Sequence, residues 1–247
     1  MTIDWSLFAY DLMSLTLSVI LLAAYHVYLR YKIRQNPAYT VQAVNVMART
    51  IWVETIMQER KDILAVQTLR NSTMAATFLA STAVLLIIGV LTLTGRGNEF
   101  SDSWHALNMM GARHTELLLA KLLLMLLDLF VAFFSFSMSI RLYNHVGFMI
   151  NVPLKLNHKI INPEHVAIHL NRAGRYYSIG MRAYYFLLPQ VFWLFGPQFL
   201  LAASVGLIFV LYQIDRAPKN FRDETLPNSF VPGESSTQPD AAQSAPR

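Results

Sequence analysis

The sequence contains no cysteine. A chain without thiols has no disulfide, no thiolate zinc site, no cysteine-held iron–sulfur cluster and no cysteine nucleophile. Charged residues are also scarce, at 14% of the chain, whereas a soluble domain usually carries about 25%. Hydrophobic residues make up 54%. This balance indicates that lipid forms part of the solvent around the folded chain.

Enzyme motifs are missing as well. Gly95-Arg96-Gly97 is not followed by Lys and Ser or Thr, as a phosphate-binding loop would be. The chain has neither a Gly-x-Ser-x-Gly elbow nor a His-Glu-x-x-His zinc motif. We therefore predict a protein that is not an enzyme and that uses no cofactor.

The net charge of +5 does not indicate nucleic acid as a partner. The basic residues lie beside apolar runs, where Lys and Arg set membrane topology and contact anionic lipid. No nucleic-acid-binding motif accompanies them. Membrane lipids are the expected partners, and nucleic acid is not.

Four apolar runs dominate the chain, and about 20 such residues cross a bilayer as a helix. They predict an all-α polytopic membrane protein with about four transmembrane helices in a membrane domain over residues 1–215. Amphipathic helices at the membrane interface complete this domain. The predicted spans cover residues 7–29, 74–93, 117–140 and 199–212.

The segments between the spans are less uniform. Residues 38–70 repeat apolar positions at three- and four-residue steps, which predicts an amphipathic helix on the membrane surface or against the bundle. Asn162-Pro163-Glu164 has the pattern of a helix start and predicts a helix over residues 164–177. Residues 184–195 form either a kinked interfacial segment or part of a re-entrant hairpin. The composition of residues 216–247 predicts a disordered tail.

Basic residues predict the orientation of the spans. Seven lie between the first and second spans and six between the third and fourth, but only two lie between the second and third. The two basic loops should therefore face the cytoplasm, and with four spans both termini lie outside. Arg216, Lys219 and Arg222 oppose this placement of the C-terminus, and a re-entrant last segment would satisfy them.

Ionisable residues within the spans are candidates for an intramembrane site. Asp128 lies near the centre of the third span, and Lys121 and Ser135 lie seven residues to either side on the same helix face. Such residues usually face a bundle interior or a water path. Either the site moves protons or ions, or Asp128 is a hydrogen-bonded packing residue, and the second interpretation is favoured. Asp11 lies in a similar polar stripe near the edge of the first span.

Two further groups of residues could bind ligands. His165 and His169 lie four residues apart on a predicted helix, a spacing that allows them to share a metal. A surface helix whose histidines lie near lipid headgroups is the favoured interpretation, so no metal is predicted. Basic and aromatic residues then alternate towards the fourth span, as expected of side chains in contact with lipid headgroups. These residues are Arg172, Arg175, Arg182, Tyr184 and Trp193.

Three segments together resemble the bacterial and plant membrane-protein family called domain of unknown function 599. They are RNSTMAATFLAST at residues 70–82, SIRLYNHVGFMIN at 139–151 and LNRAGRYYSIGMRAYYFLLPQVFWLFGP at 170–197. The resemblance covers about residues 7–215. It implies several membrane spans and supplies no activity, ligand or catalytic residue.

The sequence therefore predicts a structural or interaction protein of the membrane, located in the bacterial inner membrane. One alternative is an oligomeric small channel or transporter that uses Asp128, in which Asp128, Ser135 and Thr77 would line one cavity. A membrane metal enzyme is the third class and requires the histidines of the second basic loop to converge. A homo-oligomer or a membrane-protein partner is compatible with the first two classes.

Overall fold

The computed structural model describes residues 5–35, 39–95, 115–154 and 161–216. Within these ranges the chain forms six α-helices and no strand beyond a single isolated bridge. The predicted all-α fold is thereby confirmed. The helices are α1 (Trp5–Gln35), α2 (Val41–Glu59), α3 (Asp62–Gly95), α4 (Thr115–Met149), α5 (Pro163–Trp193) and α6 (Pro197–Asp215).

Four of these helices, α1, α3, α4 and α6, are long and apolar enough to cross a membrane. The four predicted apolar spans lie within them. The helices α3 and α4 extend well beyond the apolar runs, and a helix of 34 residues is about 50 Å long. A bilayer core is only about 30 Å thick. Both helices therefore project past the hydrocarbon.

The predicted amphipathic helix over residues 38–70 is interrupted. Thr40 caps the start of α2 by accepting a hydrogen bond from the backbone N–H of Ala43. Arg60 then adopts a left-handed conformation with φ of 57° and ends the helix. The chain turns at this residue, and Asp62 begins α3. Residues 62–70, the last part of the predicted amphipathic segment, therefore belong to α3.

The helix predicted over residues 164–177 and the segment at 184–195 form one continuous helix, α5. The predicted N-cap is present, since the Asn162 side chain accepts a hydrogen bond from the backbone N–H of His165. Pro189 lies inside α5 without ending it. The chain reverses only at Gly196, whose φ of 142° suits glycine and few other residues. Helix α6 starts at the next residue.

Contacts along the bundle set the direction of each helix. Lys121 near the start of α4 contacts Trp193 at the end of α5, and Ser139 further along α4 contacts Ala173 earlier in α5. These two helices are therefore antiparallel over most of their length. Helix α3 is also antiparallel to α4, because residues early in α3 and late in α4 share one core cluster.

Helix α1 runs parallel to α6. Asp11 contacts Trp193 just before α6 begins, and Tyr25 contacts Asp215 where α6 ends. Thr40, which follows α1, forms a backbone bridge with Arg216. We define the basic end of the bundle as the end that holds the last turn of α1, helix α2 and the last turn of α6. The first turns of α3 and α5 and the last turn of α4 lie there too.

This arrangement makes α5 a fifth helix that runs the length of the bundle. The chain leaves α4 at the basic end and enters α6 at the opposite end, so α5 carries it back between them. The two ends of the described chain consequently lie at opposite ends of the bundle. This differs from the expectation that both termini share one side. Hydropathy did not identify α5 as a helix that runs the length of the bundle. The helix packs against α2, α4 and α6 and does not need an apolar surface on every side.

Candidate functional site

A closed polar cluster lies at the end of the bundle opposite the basic end. The Lys121 ammonium is 3.0 Å from Oδ1 of Asp11. The Trp193 indole N–H donates to the same oxygen at 2.8 Å. Lys121 also donates to the Trp193 carbonyl at 3.2 Å, and its Nζ lies 4.9 Å from the centroid of the indole ring. We call these three residues the clasp, because they join α1, α4 and α5.

Both charges of the clasp are almost fully withdrawn from solvent and lipid. The exposed fraction is 2% for the Lys121 side chain and 1% for that of Asp11. Removal of one partner from such a buried pair leaves an uncompensated charge and typically costs about 3–5 kcal/mol. The clasp therefore holds three helices in register, and its groups are not accessible to a ligand.

Asp128 is half-buried and lies apart from the clasp. Its Oδ2 accepts a hydrogen bond from the Gln190 amide at 3.2 Å, which links α4 to α5 a second time. Gln190 Oε1 and Ser18 Oγ are buried, and neither has a hydrogen-bond partner among the residues that the structure describes. Lys121 and Asp128, which were predicted to share one face of α4, therefore contact different partners.

Within the described part of the chain, the three side chains that the channel alternative would place around one cavity have different surroundings. Ser135 is buried in α4. Thr77 is exposed on α3 and donates to the carbonyl of Thr73 in its own helix. Asp128 contacts Gln190 of α5. This arrangement has the form expected of helix packing.

The histidines that the metal-enzyme alternative would require have separate surroundings. His165 is exposed, with Nδ1 close to the side-chain oxygen of Asn162. His169 is half-buried, and His145 is exposed on α4. His158 lies outside the described residues. Across the described ranges, no three His, Asp or Glu residues form a group that could hold a metal ion.

The predicted headgroup contacts fall into two sets. Arg172 and Arg175 are exposed on α5. The other three residues point into the bundle, where Tyr184 donates to the carbonyl of Leu79 and Trp193 belongs to the clasp. The Arg182 guanidinium lies 3.4 Å from Asp215, the last residue of α6. Sequence spacing could not separate these sets, because the partners of the inward residues come from distant segments.

A cavity of about 610 Å³ with both polar and apolar walls opens at the basic end. Residues from α2 to α6 line it. Asp215 forms one wall, where it accepts hydrogen bonds from Arg182 and from the Tyr25 hydroxyl, the latter at 3.0 Å. We call this space the basic-end cavity.

Arg49 of α2 forms another wall of the cavity. Its Nε donates to Oδ1 of Asn171 at 3.0 Å, and Nδ2 of Asn171 donates to Oγ1 of Thr50 at 3.1 Å. Burial lowers the pKa of the Arg49 guanidinium, and the neighbouring Tyr143 opposes this shift. The group stays charged because arginine remains protonated in proteins.

Gly174 allows Arg49 to occupy this position. A Cβ atom at residue 174 would lie 2.0 Å from a terminal nitrogen of the Arg49 guanidinium. Sequence reasoning counted Arg49 only as a topology signal and missed the site. A signal was present, since Arg49 is the one Lys or Arg residue within α2.

Comparisons with known proteins identify a family and leave the site open. Neither a curated protein nor a solved structure matches the chain. A family model described as "Protein of unknown function, DUF599" matches residues 13–220. The match spans most of the chain and includes the basic-end cavity and two of the three clasp residues, Lys121 and Trp193, whereas Asp11 lies just before it. The chain therefore belongs to the DUF599 family of proteins of unknown function, as the three sequence segments indicated.

Proposed function

We propose that the protein is a non-catalytic structural or interaction protein of the bacterial inner membrane. The observation that carries this proposal is the clasp, in which the intramembrane charges of Asp11 and Lys121 are neutralised by each other and shielded by Trp193. A group that moves ions or protons must exchange partners, whereas these groups are enclosed. Such a bundle is suited to holding a fixed shape in the membrane.

The basic end of the bundle is proposed to face the cytoplasm. Both long basic loops lie at this end, and so does Arg216. Cytoplasmic loops carry an excess of Lys and Arg. With α5 as a fifth crossing, the start of α1 lies outside and the segment after α6 lies in the cytoplasm. This orientation places Arg216, Lys219 and Arg222 in the cytoplasm, which the four-span orientation did not.

Reconstitution tests the proposal. We expect purified protein in proteoliposomes to give no proton or cation flux under a pH gradient or a membrane potential. The Asp11→Asn and Lys121→Met double variant should behave in the same way while retaining the fold. Flux that is present in the wild type and lost in this variant would contradict a purely structural role. The mass of the detergent-solubilised protein shows whether it is a monomer or an oligomer.

A second candidate function, an oligomeric channel or transporter, is favoured by one observation. Asp128 is a half-buried carboxylate with an amide as its hydrogen-bond partner, and Gln190 Oε1 beside it has no partner in the described part of the chain. In this case Asp128→Asn should abolish flux and leave the melting temperature close to that of the wild type. If Asp128 only packs, the Asn variant should be mild and Asp128→Leu more destabilising, because Leu leaves the Gln190 amide unpaired.

A further inference from the structure

The two arginines that line the basic-end cavity differ in how their charges are balanced. Arg182 is paired with Asp215, whose two oxygens both lie 3.4 Å from its Nη2. Arg49 donates to a neutral amide, and no described carboxylate lies within 4.0 Å of it. The described walls of the cavity therefore carry one cation in excess.

Neighbouring residues hold the Arg49 side chain in place before any ligand binds. The hydrogen bond from Asn171 to Thr50 turns the Asn171 oxygen towards Nε of Arg49. The guanidinium lies against the backbone of α5 at Gly174, where no side chain occupies the space. With Nε engaged, the terminal nitrogens are the donors left for a ligand, and an arginine fork matches the oxygens of phosphate or carboxylate.

Neutral donors surround the same space on three helices. The amide side chains of Gln42 and Asn45 come from α2 and that of Asn71 from α3, while the Tyr177 and Tyr185 hydroxyls come from α5. A phosphate group is tetrahedral, with three strong acceptor oxygens in a monoester and two non-bridging oxygens in the diester of a phospholipid headgroup. Donors supplied by three helices suit a tetrahedral group better than a planar carboxylate.

We propose that the basic-end cavity binds a phosphate-bearing anion, with Arg49 as its cationic anchor. The cavity volume falls within the roughly 300–1,000 Å³ of small-molecule sites. It exceeds the needs of a bare phosphate, and Met181, Leu211 and Ile214 add apolar wall. The ligand is therefore a phosphate that carries further atoms, either the headgroup of an anionic phospholipid or a soluble phosphate ester.

Binding measurements on the purified full-length protein test this site. The lipid arm compares vesicles of phosphatidylcholine alone with vesicles that also contain phosphatidylglycerol. The soluble arm uses glycerol phosphate. We expect saturable binding in one of the two arms, and Arg49→Gln should weaken it roughly tenfold through loss of a charge-assisted hydrogen bond. Binding of the doped vesicles that glycerol phosphate does not displace assigns the ligand to lipid. Displacement assigns it to a soluble ester.

Two matched variants separate the cavity from general surface charge. Gly174→Ala retains every charge, but its Cβ displaces the Arg49 guanidinium, so it should weaken binding about as much as Arg49→Gln. Arg175→Gln removes one charge from the neighbouring, exposed position on α5, so it should change the Kd by less than about twofold. Thermal melting of each variant verifies the fold, and the Arg49 and Arg175 pair still decides the test if Gly174→Ala unfolds.

Two results would overturn the proposal. One is an equal loss of binding in Arg49→Gln and Arg175→Gln, which would show that surface charge alone attracts the anion. The other is the absence of saturable binding in both arms by folded wild-type protein. Neither result bears on the structural role proposed above, which is tested by flux and by stability.

Discussion

The clasp contains a buried basic side chain and the basic-end cavity contains two half-buried ones, yet the two regions balance charge in opposite ways. In the clasp, the Lys121 ammonium has a carboxylate at 3.0 Å and a backbone carbonyl at 3.2 Å. In the cavity, the hydrogen-bond partner of Arg49 among the described residues is the neutral amide oxygen of Asn171, at 3.0 Å. A charge whose partners are complete contributes to holding helices together. A charge that is half-buried with a neutral partner is available to a ligand.

Burial gives the same contrast a physical reason. The clasp is enclosed between three helices, where an uncompensated charge is costly. The cavity is open where α2 meets the ends of the other helices, so an anion can enter and supply the missing counter-charge. The two regions also lie at opposite ends of the molecule, so each can be altered separately.

The largest expected effect concerns membrane topology, because each reporter fusion reads either as cytoplasmic or as external. Reporters fused after Asn98 should read as external, and reporters fused within residues 155–159 or after Arg216 should read as cytoplasmic. The reason is that α5 returns the chain across the bundle between α4 and α6. An external reading after Arg216, with the other two as expected, would show that α5 does not cross the membrane.

The clasp should respond strongly to the loss of one partner. Lys121→Met leaves Asp11 buried without its counter-charge and should lower the free energy of unfolding by about 3–5 kcal/mol. Adding Asp11→Asn should recover much of this loss, since the double variant buries no charge. Denaturation in detergent measures both.

Lys61→Met is the matched control for the clasp. Lys61 is paired with Glu59 on the surface, with about half of each side chain exposed, so its loss should cost less than about 1 kcal/mol. A Lys121 variant that is no less stable than this control would show that the clasp does not hold the bundle together.

The packing between the two regions should give an intermediate effect. A Cβ at Gly180 of α5 would lie 2.7–2.9 Å from the Phe136 ring of α4. Gly180→Ala should therefore destabilise the protein by about 1–3 kcal/mol through overpacking, and Phe136→Leu should partly restore stability by making room. Gly206 provides a control, because nothing lies within 4 Å of its Cβ position. Equal melting temperatures for the Gly180→Ala and Gly206→Ala variants would contradict the close α4–α5 contact.

The smallest effect is expected from the tail. Truncation after Phe221 should leave insertion and melting unchanged, because the composition of the removed segment offers little apolar surface to bury. These residues lie outside the described ranges, so the expectation rests on sequence alone. A large drop in melting temperature would show that the tail packs on the bundle.

Several features followed from local sequence. Apolar runs of sufficient length predicted α1, α3, α4 and α6, because the bilayer imposes a minimum length on any spanning helix. Asn162-Pro163 predicted the start of α5, because capping depends on neighbouring residues only. Asp11, Lys121 and Asp128 were recognisable as inward-facing, since charges in lipid are costly.

The pairings inside the bundle required the tertiary structure. A separation of 110 positions along the chain conceals the contact between Asp11 and Lys121. The sequence pattern predicts a headgroup contact for Trp193, whereas its indole N–H donates to Asp11. The role of α5 was hidden for a related reason. Its Tyr, Gln and Arg residues lower its hydropathy, and only the surrounding helices show that these side chains are sheltered from lipid.

The sequence by itself determined that the chain is a helical membrane protein, where its apolar spans lie and which loops are basic. These properties depend on composition and on local periodicity, which the bilayer constrains residue by residue. The tertiary structure alone decided that five helices run the length of the bundle and that Gly174 makes room for the Arg49 guanidinium. It also decided that Lys121 pairs with a carboxylate, whereas Arg49 pairs with an amide among the described residues. Those properties depend on which distant side chains meet, and no local pattern encodes that meeting.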